Sequence, residues 1–187
     1  MSTSEHSVIP KAVCQVAAVC YRKRSPVTEF LLVNTNKGKW TFPKGCMEPH
    51  ISHSEAAALE AFQEAGAAGY VEKKPFHVYL SSKGVLWRKP GIREFGVKAF
   101  LLEVHWQRNP QEEFRNPTWF RPAEAKEVLS QGREIKYRDA LIDVIDKALE
   151  RIRAREYNFL QAQSSHKPVR RNASHGQSSL INRCKEF

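Results

Sequence analysis

The stretch from Gly45 to Gly66, GCMEPHISHSEAAALEAFQEAG, constrains this chain more than any other. Ser52 and Glu55 have the S-x-x-E spacing of a capping box, in which both side chains satisfy N–H groups left free where a helix opens. Good helix formers follow from Ala56 to Ala65, and Gly66 and Gly69 are read as the stop. Ala58, Ala61, Phe62 and Ala65 make an apolar stripe at helical spacing, while Glu60, Gln63 and Glu64 share another face. A loop followed by such a helix needs an apolar surface to lie on.

The flanking sequence supplies one. Apolar, β-branched runs at 12–22 and 29–35 read as strands joined through RKRSPVT, and 39–43 reads as a short strand ended by Pro43. Further strands are expected at 75–82, 85–88 and 93–106. A polar loop at 109–117 leads to a short helix at 123–130. A long amphipathic helix follows at 138–160, with Leu141, Val144, Ile145, Ala148, Leu149 and Ile152 on its buried face. This order predicts an α/β fold with a mixed sheet sandwiched between helices. The organisation read from it is a short tail at 1–9, a domain at 10–160 and a basic tail at 161–187. That last tail is rich in Gln, Ser and His, a composition that predicts disorder.

The formal charge of +10 favours an anionic partner, a phosphorylated small molecule ahead of nucleic acid. No apolar run approaches the roughly 18 to 20 residues of a membrane span. The N-terminus lacks the basic start and apolar block of a secretory signal, so a cytoplasmic location is expected. Cys14, Cys20, Cys46 and Cys184 form no C-x-x-C pair. Cys14 and Cys20 fall on one predicted strand, roughly 20 Å apart at about 3.3 Å per residue, and reduced thiols are expected.

Glu60 and Glu64, four residues apart on a helix, place their side chains roughly 6 Å from one another. Carboxylates at that spacing can share a divalent ion, which neutralises phosphate oxygens and activates water. The preceding PKG, with Lys44 and Gly45, can lend a cation and backbone N–H groups to a phosphate. Taken alone, the pair describes a solvated helix face as readily as a site.

The surrounding pattern decides between them. The chain resembles the Nudix hydrolases, whose box runs G-x5-E-x7-R-E-U-x-E-E-x-G-U. With Gly45 as the first Gly, Gly66 falls on the last without a gap, Glu60 on the Glu of RE and Glu64 on the second Glu of EE. The stretch is especially similar to the diphosphoinositol polyphosphate phosphohydrolase branch, which also cleaves dinucleoside polyphosphates. RKRSPVTEFLLVNTNKGKWTFPKG and TWFRPAEAKEVL extend the resemblance over about residues 10 to 150. It implies a Nudix fold and a pyrophosphohydrolase that uses Mg²⁺, with Mn²⁺ as the alternative ion. Glu60, Gln63 and Glu64 would be both catalytic residues and metal ligands. Lys44, Gly45, Arg88, Lys89 and Arg93 would bind substrate, and Trp87 would stack on it.

Three positions depart from the box. Ile51 replaces its first Glu, Leu59 its Arg, and Gln63 the first Glu of EE. Ile51 and Leu59 are expected to be apolar neighbours standing in for a polar pair. Gln63 keeps a coordinating oxygen but cannot accept a proton at neutral pH. The base then falls to Glu64, a metal-bound hydroxide, or one of Glu48, Glu94, Glu103, Glu112 and Glu113. Two other functions stay open: a catalytically weak domain that binds an anionic ligand as sensor or scaffold, and an RNA 5′-pyrophosphohydrolase. Arg22, Lys23, Arg24, Arg133 and Lys136 are further phosphate-binding candidates, and Trp40 and Trp119 are expected to anchor the core.

Overall fold

The computed structural model describes residues 13–84 and 92–165. The tail at 1–9, the strand expected at 85–88, Trp87, Arg88, Lys89 and the tail beyond Ser165 lie outside the described residues. Arg93 is described in its backbone only. The strands, in chain order, are β1 (Val13–Arg24), β2 (Val27–Asn34), β3 (Trp40–Thr41), β4 (Lys44–Cys46), β5 (Ala67–Val71), β6 (His77–Gly84), β7 (Ile92–Gln107) and β8 (Thr118–Phe120). The helices are α1 (His53–Ala65), α2 (Pro122–Ser130) and α3 (Ile135–Ser165).

β1 and β7 pair in parallel at the centre of the sheet, Val19 opposite Leu101. A strand covered on both faces reads as a nearly unbroken apolar run, and β1 does. Its residues alternate between two cores. Ala17, Val19 and Tyr21 face one, which α2 and α3 close with Ala125, Leu129, Leu141, Val144, Ile145, Ala148 and Ile152. Val16, Ala18 and Cys20 face the other, which α1 closes with Ala56, Ala57, Ala61 and Ala65. The remaining pairings are antiparallel. β2 lies beside β1, with β3 and β8 on its far edge, and β4 pairs with β1 through Val16 and Gly45. The first half of β7 takes β6 and the second half takes β5. The expected mixed sheet between helices is therefore present.

α1 begins as its sequence demands. The Ser52 side chain accepts the Glu55 N–H at 3.3 Å, and Glu55 accepts the Ser52 N–H at 2.8 Å. It ends at Gly66, whose φ of 64° suits a residue without a Cβ and whose N–H reaches back to Ala61 and Phe62. The buried stripe is turned from the expected one: Ala57 joins Ala61 and Ala65, while Ala58 and Phe62 are only partly buried. Gly69 is not part of the stop. It sits in β5, a strand that the sequence pattern does not predict, beside a register shift against β7.

Ile51 and Leu59, the two apolar departures from the box, lie at the surface. They are 37% and 40% exposed, so neither is a core residue. Ile51 lies in the loop ahead of the helix cap and Leu59 on the outer face of the helix.

The described chain divides into two units at Arg153. In the second, α3 continues to Ser165, so residues 161–165 are helical where composition predicts coil; Tyr157, Phe159 and Leu160 are exposed there. No described helix is long and apolar enough to cross a membrane.

Because Ile51 and Leu59 are exposed, Ile51→Glu and Leu59→Arg should each change stability by less than about 0.5 kcal/mol. Urea unfolding of both single variants and the double variant checks this. A cost above about 1 kcal/mol for either would place that side chain in a packed interior.

Candidate active site

The last carbonyls of a helix have no partner within it. In α1 the chain after β7 supplies those partners. The Gln107 side chain donates to the Ala65 carbonyl at 3.1 Å, and the N–H groups of Gln111 and Glu112 both donate to the Gln63 carbonyl, at 2.9 and 3.3 Å. Arg108 N–H donates to the Gly66 carbonyl at 3.0 Å. This docking brings the 3₁₀ turn Glu113–Arg115 against the acidic face of the helix.

Glu64 lies at the bottom of the resulting site, only 3% exposed. One carboxylate oxygen accepts the Lys44 N–H at 3.0 Å, and the other is paired with the Arg115 guanidinium. Burial pushes its carboxyl up to about 7. Arg115, the Lys44 N–H and the Lys44 charge oppose that rise, and the neighbouring Glu60 adds to it.

Glu60 is half-buried beside Gly45. A Cβ at position 45 would fall 1.6 Å from Glu60 Oε1, so glycine there is what lets the carboxylate lie against β4. Burial raises the Glu60 carboxyl, and the charges of Glu112 and Glu48 raise it further against Arg115 and Lys44. Gln63 is partly buried, and its contribution to the architecture comes through its backbone carbonyl.

The donor chemistry fits a hard divalent ion. Glu60 and Glu64 offer carboxylate oxygens, which suit Mg²⁺, and the mutual repulsion of Glu60, Glu64, Glu112 and Glu48 favours a cation among them. Among the described residues, no three His, Cys, Asp or Glu side chains already stand as a preformed ligand set. Each oxygen of Glu64 already has one partner, the Lys44 N–H or Arg115.

The structure thus brings together Lys44, Gly45, Glu60, Gln63 and Glu64 of the expected site. It also ranks the carboxylates left unranked by sequence. Glu112 belongs to the cluster through its 2.6 Å pair with Arg115, and Glu48 acts on Glu60 by charge. Glu94 is instead bound by Lys136 and Tyr137, and Glu103 accepts the Tyr21 hydroxyl at 3.1 Å. Several expected phosphate binders have structural duties. Arg22 pairs with Glu29 at 2.7 Å and covers the Trp119 ring, and Arg133 donates to the Leu129 and Trp40 carbonyls. Trp40 and Trp119 pack, partly buried, against one core each. Arg115 is a site residue that sequence reasoning misses, because nothing in its local sequence, EEFRNP, marks it as a partner of α1.

The geometry agrees with comparisons to known proteins. Residues 14–140 match the family model described as the NUDIX domain. The chain belongs to the Nudix family. It is 37% identical over 103 residues to Nudix hydrolase 4 of Arabidopsis thaliana, a match covering 54% of this chain and 48% of that protein. The matched part thus spans about half the length of that curated relative. Among solved structures, the fold is similar to a Caenorhabditis elegans Ap4A hydrolase in a binary complex. That likeness has a TM-score of 0.56 and 18% identity, and covers 76% of this chain and 99% of the other. It is also similar to the Nudix domain of Shewanella oneidensis NrtR complexed with ADP ribose. There the TM-score is 0.53 and the identity 16%, with 77% of this chain and 90% of the other covered. These two likenesses show the fold.

Two outcomes are expected from this geometry. In Gly45→Ala the atoms nearest the new Cβ are the far end of the flexible Glu60 side chain, so the protein should keep its melting temperature within a few degrees while Glu60 is pushed off β4. A crystal structure of the variant with Glu60 unmoved would refute the contact. The second outcome concerns pH. Glu64 keeps its proton in the folded chain up to about 7, whereas the unfolded chain releases it near the ordinary carboxylate value. Its contribution to stability is therefore complete below that ordinary value and is lost as pH rises through about 7. In EDTA, the urea midpoint of wild type should fall from pH 5 to pH 8 relative to Glu64→Gln, and parallel profiles would refute the raised carboxyl.

Proposed function

We propose that this chain is a divalent-metal-dependent pyrophosphohydrolase that cleaves a phosphoanhydride in a dinucleoside polyphosphate or a diphosphoinositol polyphosphate. Glu64 carries the reading: a nearly inaccessible carboxyl, held near neutral pKa, beside a second carboxylate at the end of the family's helix. Carboxyls whose pKa is shifted by burial cluster at functional sites. Similarity to a plant Nudix hydrolase and to a nematode Ap4A hydrolase supports a phosphoanhydride substrate.

Glu60 and Glu64 would hold the Mg²⁺, with the Gln63 amide oxygen as a neutral third donor; Mn²⁺ would serve as well. The ion supplies charge neutralisation and an activated water. Lys44, beside Gly45 on β4, would offer its side-chain cation to the phosphate oxygens, since its backbone N–H is given to Glu64. Glu64 accepts the proton of the attacking water. Arg88, Lys89, Arg93 and Trp87 are the proposed contacts to the rest of the substrate, and the site of action is cytoplasmic.

Gln63 favours a second reading, in which the domain binds the anion and turns it over weakly or not at all. A panel of diadenosine polyphosphates, diphosphoinositol polyphosphates and 5′-triphosphorylated RNA with Mg²⁺ or Mn²⁺ separates the two. Under the enzyme reading, wild type releases phosphate or nucleotide and Glu64→Gln abolishes release. Gln63→Glu then raises turnover by some part of the ~10² to 10⁴-fold typical of general acid–base participation. Tight anion binding with no release from wild type or Gln63→Glu would establish the second reading. Unchanged turnover in Glu64→Gln would remove that residue from the mechanism.

A further inference from the structure

Arg115 touches Glu64 directly, yet it lies in a loop far from the helix in sequence. Its side chain is 17% exposed, and its guanidinium bridges two carboxylates. Nη2 pairs with Glu64 Oε1, and Nε donates to Glu112 Oε2 at 2.6 Å. Nη1 also reaches the Asn34 carbonyl at 3.4 Å. The other oxygen of Glu64 is held by the Lys44 N–H. The Oε1 side of Glu64 therefore already carries a positive charge supplied by the protein.

The way this charge is anchored permits exchange. The loop is tied to α1 through the Gln111 and Glu112 backbone N–H groups, upstream of Arg115. The hydrogen bonds that dock the loop on the helix therefore do not involve the Arg115 side chain. The exposed Phe114 ring lies 4.9 Å from the guanidinium while it is paired with Glu64.

We propose that Arg115 is a positioning residue whose guanidinium occupies the carboxylate face a divalent ion requires, so that its pairing with Glu64 and ion binding exclude one another. The inference rests on the metal-dependent reading given above. Arg115 keeps Glu64 charge-compensated and in place until the ion arrives, and the site exchanges one cation for another. Apparent ion affinity is then lowered by the fraction of molecules in which the pair is closed.

The test is Mn²⁺ binding by the full chain, followed by electron paramagnetic resonance without substrate, in wild type, Arg115→Gln and Arg115→Lys. Arg115→Gln should bind Mn²⁺ more tightly, by about tenfold if the pair is closed in about nine molecules of ten. It should also melt lower in EDTA and gain more from Mn²⁺ than wild type does. Arg115→Lys, which keeps a cation, should stay near wild type. A merely structural arginine would not tighten ion binding on removal, so equal or weaker affinity in Arg115→Gln overturns the exclusion. Absence of Mn²⁺ binding in all three proteins would overturn the metal reading as well. Should Arg115→Gln not fold, side-chain NMR of wild type decides. The Arg115 Nε–H signal, identified by its loss in Arg115→Lys, should move on Mg²⁺ addition, and an unchanged signal at saturating Mg²⁺ overturns the proposal.

Discussion

The burial of the Glu64 carboxylate organises the site around it. A carboxylate removed from water persists only with a cation or several N–H donors beside it. β4 brings the Lys44 N–H from one side, and the loop after β7 brings Arg115 from the other. Removing one member of such a buried pair typically costs ~3 to 5 kcal/mol, because the survivor is left uncompensated. The position of β4, the docking of the loop and the state of Glu64 therefore belong to one arrangement.

That arrangement depends on how closely α1 approaches the sheet. Its inner face is built of alanines, so there is little side chain between the helix and β1, β2 and β7. The opposite face of the sheet is different. There large residues from α2 and α3 fill the space over Phe30, Phe42 and Leu101. One side of the sheet supplies bulk and stability. The other holds a thin helix near enough to β4 for a glutamate to rest on Gly45.

The legible part of the sequence was the part with a period or a spacing. The capping box, the glycine at the end of α1 and the i, i+4 glutamates are local, and the structure keeps each of them. The exposure of Ile51 and Leu59 had no such signal, since it follows from their places before the helix cap and on the outer face of the helix. β5 was missed for a related reason. Ala67 to Val71 carries two alanines and a glycine, and it is a strand only because the edge of β7 is there to pair with. Arg115 had no legible signal at all, since its role is created by the hydrogen bonds that dock its loop on the Gln63 carbonyl. The same docking singles out Glu112 among five carboxylates that looked alike in the sequence.

The end of α1 has an electrical character of its own. Aligned peptide dipoles give a helix C-terminus a partial negative charge, which favours cations and disfavours carboxylates within the last turn. The last turn of α1 holds no basic residue and does hold Glu64. The compensating charges come from elsewhere: Arg115 on Glu64, and Arg108 over the Phe62 ring at 4.0 Å. The helix thus acts as a one-ended cation trap, its backbone field and its side chains pulling in the same direction. That field favours a positive occupant beside Glu64, whether a residue of this chain or an ion from solution.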